Sequence, residues 1–193
     1  MISADGGQAQ EDSMIAKPRR PDLRAELIAR AEVDQDARRT LGDPPTSEQW
    51  DLVKAVDADN SAWLEDIIAG HGWPGADMVC EDGAHAAWLL AQHAPLHLQQ
   101  RWLPLLGQAV EAGEAAAVDL AYLDDRVRIR EQRPQRHGTQ WLVRGGEQRL
   151  FPLDEPDQVN HRRAALGLPL LATREIADAW PASTDPMIPD IST

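Results

Sequence analysis

His93 closes a run in which Ala86, Leu89 and Leu90 recur at helical spacing, so its imidazole falls in phase with an apolar stripe. An imidazole there suits a general acid or base, because it is the side chain that takes up or releases a proton near neutral pH. Most histidines on an apolar face are hydrogen-bonded core residues, so the catalytic reading needs partners. Gln92 precedes it, and Asp125-Arg126 is the second place where polar residues interrupt an apolar run. Asp34 and Arg38 lie four apart, inside the stripe formed by Leu23, Leu27 and Ala31. An inward carboxylate and guanidinium at that spacing either form a buried ion pair or take part in a site. Asp57 falls in phase between Trp50 and Val53, at the edge of a buried face, and serves either the site or a local cap at Asp59-Asn60-Ser61.

These residues define an acid-base constellation. His93 is the base or acid, Asp34 or Asp57 orients it, and Asp125 completes the candidate catalytic carboxylates. Arg126 with Gln140 would bind an anionic or carbonyl group, helped by Gln92 and Arg38. Trp73, in the loop His71-Gly72-Trp73-Pro74-Gly75, is a candidate pocket wall or a plug at the end of the bundle. A metal site from His71, His93 and an aspartate is an alternative that no spacing demands. His97 stands four residues after His93, but the intervening Pro95 spoils helical ligand geometry. There is no glycine-rich phosphate loop, no Cys/His cluster at zinc spacing and no nucleophile elbow. No cofactor is expected.

The elements that must position these groups read as mainly helical. With 193 residues, 42% hydrophobic and 26% charged, the chain is long enough for one core. Residues 1–20 lack periodicity and read as a disordered leader, 21–171 as one domain, and 172–193 as a weak helix with a loose tail. Helices are expected over 22–41, from Thr46 or Ser47 to a break at 59–61, over a short segment ending at Gly70, and from Glu81 or Asp82 to His93. Two more follow over 98–112 and 115–125, and another starts at Pro156. Val127–Glu131, Thr139–Arg144 and Gln148–Phe151 read as three strands of an antiparallel meander within 126–152. The fold class is therefore a bundle of about six or seven helices with a small three-stranded meander, and strands that do not alternate with helices argue against a parallel sheet.

Net charge is −13, with a pI near 4.8, which argues against duplex nucleic acid or an anionic membrane as partner. From Asp43 to Asp125 there are 15 acidic and 2 basic residues, whereas Arg126 to Arg149 holds 7 Arg and 2 Glu, so an arginine-rich segment follows an acidic body. One cysteine, Cys80, excludes an intrachain disulfide and fits a reducing cytoplasm. No run is long and apolar enough for a membrane span. Seven Trp against one Phe and one Tyr point to bulky core anchors or an aromatic-lined pocket, with the core the commoner use.

Asp34-Gln35, Gly72-Trp73-Pro74, Gln92-His93, Ala121-Tyr122-Leu123 with Asp125-Arg126-Val127, Gln135 with Gly138-Thr139-Gln140, and Arg162-Arg163 with Gly167-Leu168 together resemble a bacterial family catalogued as a domain of unknown function. The resemblance covers about residues 22–171, and His137 stands where that family has Tyr. It implies which residues matter and adds no chemistry. The expectation is a small cytoplasmic enzyme performing hydrolysis, cyclisation or a related proton transfer on a polar metabolite or peptide. The alternative is an acidic binding, immunity or regulatory module that offers its Trp and Asp/Glu surface to a basic partner. An enzyme should draw His93, Asp34 and Arg126 into one pocket; a binding module should present a flat acidic face.

Overall fold

The computed structural model describes residues 17–144 and 146–181. Most of the expected leader and the end of the tail lie outside these residues. Among the described residues there are seven α-helices and one two-stranded antiparallel sheet. The helices are α1 (Pro21–Arg39), α2 (Ser47–His71), α3 (Ala76–His93), α4 (Leu96–Glu111), α5 (Ala117–Arg130), α6 (Val159–Ala165) and α7 (Thr173–Ala177). Strands β1 (Trp141–Arg144) and β2 (Glu147–Leu150) pair with Trp141 opposite Leu150, and a 3-10 turn spans Pro156–Gln158. None of these helices is long and apolar enough to cross a membrane.

Helix α3 is the hub, packing against α1, α2, α4 and α5. Its sequence explains this position. Ala84, Ala86, Ala87, Leu90 and Ala91 are all buried, and small side chains let neighbouring helices approach closely. At Gly83 a Cβ would stand 2.8 Å from the Val79 side chain and 3.3 Å from Cγ of Arg24 on α1, so hydrogen alone fits. The helix is broken at Cys80, where φ is +60°, so the regular part begins at Glu81 as its sequence suggests. Its apolar partners include Leu23 and Leu27 of α1, Leu64 and Ile68 of α2, and Leu98, Trp102 and Leu106 of α4. Arg19 and Arg20 ahead of α1 donate backbone hydrogen bonds to Asp77 and Met78, which ties this end of the chain to α3.

Two expectations are corrected. Helix α2 runs unbroken through Asp59-Asn60-Ser61, with Asn60 and Ser61 buried inside it, and starts with a capping box between Thr46 and Gln49. The expected strand Val127–Glu131 is the second half of α5 and its C-cap, which leaves a two-stranded hairpin in place of a meander. The reason lies in how α5 is enclosed. Ala121, Leu123, Asp125, Val127 and Ile129 are all buried, and residues two apart on a helix lie about 200° apart around its axis. Leu123 and Val127 enter the helical core. Asp125, on the opposite side, meets the loop 136–139. A helix held between two layers thus buries alternate residues and mimics the period of a strand.

The second layer is a small lobe over 133–180. Its apolar centre is Leu150, Val159 and Leu171, with Trp141, Leu153 and Ile176 packed around them. Gly146, with φ of +82°, supplies the positive φ that a two-residue hairpin loop needs.

A candidate acid-base and anion site at the end of the central helix

His93 is the last residue of α3, and the chain turns at Ala94-Pro95 straight into α4. A pocket of about 670 Å³ opens here, lined by the C-terminal part of α1, the face of α2 from Trp50 to Ala58, the α3–α4 corner and α5. Arg38, Asp57, Gln92, His93, Arg126 and Arg130 form its polar side, and Trp50, Val53 and Leu96 its apolar side.

His93 Nδ1 lies 2.9 Å from Oδ1 of Asp34, whose side chain is 1% exposed. Burial pushes the Asp34 carboxyl up, but the hydrogen bond and charge of His93, with Arg38 and Gln35, hold it below the usual carboxylate range. A carboxylate only accepts, so Nδ1 carries the hydrogen in the neutral ring and Nε2 is left as the acceptor. Nε2 has no protein partner among the described residues. Asp34 is itself held. Arg38 Nη1 donates to its Oδ1 at 2.8 Å and Gln35 Nε2 to its Oδ2 at 2.9 Å. Arg38 Nη2 donates to both oxygens of Asp57, at 2.8 and 2.9 Å. Burial raises the Asp57 carboxyl above its ordinary range despite Arg38. Asp57 is thus linked to the imidazole through Arg38 and does not cap a break in α2.

Asp34, Asp57 and His93 bring one ligand atom each within 4.8 Å of one another, a spacing that suits a metal. The Arg38 guanidinium spans both of these carboxylates. His71, named in the metal alternative, is not in this group; its Nε2 lies 3.4 Å from Nη1 of Arg20.

Arg126 and Arg130 occupy one face of α5, four residues apart. Arg126 Nε donates to Oε1 of Gln92 at 2.6 Å. Burial lowers the Arg126 guanidinium to about 10, and the charges of Arg130 and Arg38 push in the same direction. Among the described residues no carboxylate pairs with Arg126. Gln92 is 4% exposed, and its Nε2 is buried without a hydrogen-bond partner. The reverse orientation of that amide would set donor against donor at Arg126, so the unpaired group is the N–H end. Arg130 donates to the Ala94 carbonyl and to Oε1 of Gln99, both at 3.1 Å. The buried Gln99 Nε2 in turn binds the carbonyls of Ala91 and Gln92, closing the C-terminus of α3.

The remaining sequence candidates lie elsewhere. Asp125 faces away from the pocket, 0% exposed, and accepts from the backbone N–H groups of Arg136, His137 and Thr139 and from the Thr139 hydroxyl. Burial pushes its carboxyl up, but the His137 side chain, with Nδ1 3.5 Å from Oδ1, and the backbone N–H groups of Arg136, His137 and Thr139 hold it below the usual range. Gln140 is buried in the second layer, its backbone N–H bound by Oε1 of Gln135. Trp73 is 8% exposed inside the helical core, not on the pocket wall. Arg130, Gln99, Lys54 and Trp50 escaped the sequence reading; the helical i, i+4 relation of Arg130 to Arg126 would have revealed the first, had α5 not imitated a strand.

The motif residues therefore divide into two groups. Asp34, Gln35, Gln92, His93 and Arg126 meet at the pocket. Asp125, Gln135, Gly138, Arg162 and Arg163 build the second layer: Gln135 Nε2 binds the carbonyls of Gln140 and Phe151, and Arg163 binds those of His137, Gly138 and Pro169. A bundle whose central helix ends in a buried Asp–His pair beside an arginine-lined pocket is the class that the geometry defines. Residues 21–181 match the model of a family of unknown function, DUF6624, and the chain belongs to that family. No curated protein and no solved structure matches the chain.

Proposed function

We propose that the protein is a small enzyme that performs acid-base chemistry on a polar metabolite or peptide, with His93 as the proton-transfer group. The observation that carries this reading is the 2.9 Å contact of His93 Nδ1 with the buried, triply held Asp34, in a residue that also lines the pocket. A histidine needed only for packing has no use for an aspartate fixed by Arg38 and Gln35. An orienting carboxylate keeps one tautomer, aims Nε2 at the ligand and offsets the charge of the imidazolium that forms. In a hydrolysis or cyclisation, Nε2 takes the proton from the attacking water or substrate group and returns it to the leaving group. Arg126 and Gln92 hold an anionic or carbonyl group of the substrate, and Arg38 and Asp57 keep the pair in register. In this reading the charge that bridges Asp34 and Asp57 is the Arg38 guanidinium.

The test is a comparison of the wild type with His93→Gln on polar-metabolite and peptide libraries, followed by mass spectrometry. The expected result is a set of compounds consumed by the wild type and left intact by a variant that melts within a few degrees of it. Consumption that is equal in the variant, or absent in both, sinks the proposal. In that case the acidic binding or regulatory module becomes the better reading.

A further inference from the structure

The pocket departs from the rest of the molecule in charge. In a chain of net charge −13, its lining carries four basic side chains, Arg38, Lys54, Arg126 and Arg130, against one carboxylate, Asp57. Arg38 is paired with both Asp34 and Asp57. Arg126 has no acid partner among the described residues, although burial makes an unpaired charge unfavourable there. Beside it the Gln92 Nε2 donor is buried and unpaired. Among the buried side-chain atoms without a partner in the described residues, Gln92 Nε2 is the one that belongs to this pocket's lining, and beside a guanidinium with no acid partner it marks the place of a missing acceptor.

The shape of that acceptor can be read from which atoms remain. The Nε edge of Arg126 is taken by Oε1 of Gln92 at 2.6 Å, so a ligand meets the Nη end of the guanidinium and the Gln92 amide together. At this spot one guanidinium and one neutral amide donor match a planar, negatively charged group with two acceptor oxygens. Across the cavity, Trp50, Val53 and Leu96 offer an apolar wall. The geometry points to a substrate that carries a carboxylate, bound by Arg126 Nη and Gln92 Nε2, and an apolar portion lying on Trp50, Val53 and Leu96. This assignment rests on the acid-base reading for the word substrate; the carboxylate subsite itself does not depend on His93 being catalytic.

The test uses the full chain and hexanoate as probe. The side-chain N–H signals of Gln92 and Arg126 in the wild type are followed by NMR as hexanoate, hexanamide or inorganic phosphate is added at constant ionic strength. Hexanoate should shift both signals saturably, and the amide and phosphate should not. Arg126→Lys should weaken hexanoate binding by about tenfold or more, because an ammonium cannot hold the planar contact. His93→Gln should bind hexanoate within about threefold of the wild type, since its partners lie outside the subsite. This variant separates the two proposals: retained binding with lost turnover supports both, and retained binding with unchanged turnover overturns the acid-base reading alone. Absence of a saturable shift, an equal response to amide or phosphate, or full affinity in Arg126→Lys overturns the carboxylate subsite. The wild-type shifts decide the matter even where a variant fails to fold.

Discussion

His93 and Arg126 give opposite expectations when replaced, because one is positioned by the fold and the other is strained by it. Replacing His93 by Gln removes proton transfer while filling a similar volume. Turnover should fall by about a hundredfold or more, with melting within a few degrees of the wild type. A variant that unfolds yet keeps its turnover per folded molecule would make the imidazole structural. Arg126→Gln is different. It removes a buried guanidinium that lacks an acid among the described residues, and its shorter amide still donates to Gln92. We expect the melting temperature to rise by about 2–4 °C, on the order of 1 kcal/mol, while function is lost. Calorimetry beside the library assay checks this trade; a lower melting temperature would mean that the charge already has a compensating partner.

At the scale of the element, α5 is the wall shared by both layers, and Asp125 is its fastening to the second. Asparagine offers one accepting oxygen where the carboxylate offers two, and its amide would face the N–H donors of the loop 136–139. Asp125→Asn should therefore destabilise the protein by about 2–4 kcal/mol and speed amide exchange at 136–140. Turnover per folded molecule should persist, because Asp125 points away from the pocket. The same carboxylate predicts an acid limb. Its pKa is depressed in the folded state, so below the unfolded value of roughly 3.9 the unfolded chain binds the extra proton first. The stability it contributes is present above that value and is lost as pH falls through the folded pKa. Acid titration of unfolding should show a shallower loss in Asp125→Asn than in the wild type; identical slopes would rule out this contribution.

For the molecule as a whole, the balance of −13 makes self-repulsion the dominant long-range term. Many of the ion pairs that oppose it are exposed, such as Arg19–Asp77 and Arg39–Asp36, and such pairs contribute little. Raising sodium chloride from about 10 to 200 mM shortens the screening length to under about 10 Å and should raise the melting temperature. Thermal melts at the two ionic strengths check this. A fall on adding salt would show that pairwise attraction outweighs the repulsion.

Periodicity alone determined much of the bundle. The stripes of α1 and α4, the end of α3 at His93 before Pro95 and the hairpin around Gly145-Gly146 are local signals, written in residues a few positions apart. Helical phase likewise marked Asp34, Arg38, Asp57 and His93 as inward, and the structure places all four on one side of the same pocket or directly behind it. What tertiary structure decided was which inward groups meet. Asp125 and Arg126 are neighbours in the chain but point to different layers, since successive helical residues lie about 100° apart and α5 is covered on opposite sides. That same coverage turned a helix into the apparent strand 127–131. Gln140 and Trp73 are buried polar and aromatic groups like those of the site, yet they satisfy a loop and a core. Burial and period are properties of a segment, whereas a site depends on distances between segments, and only the packed molecule sets those.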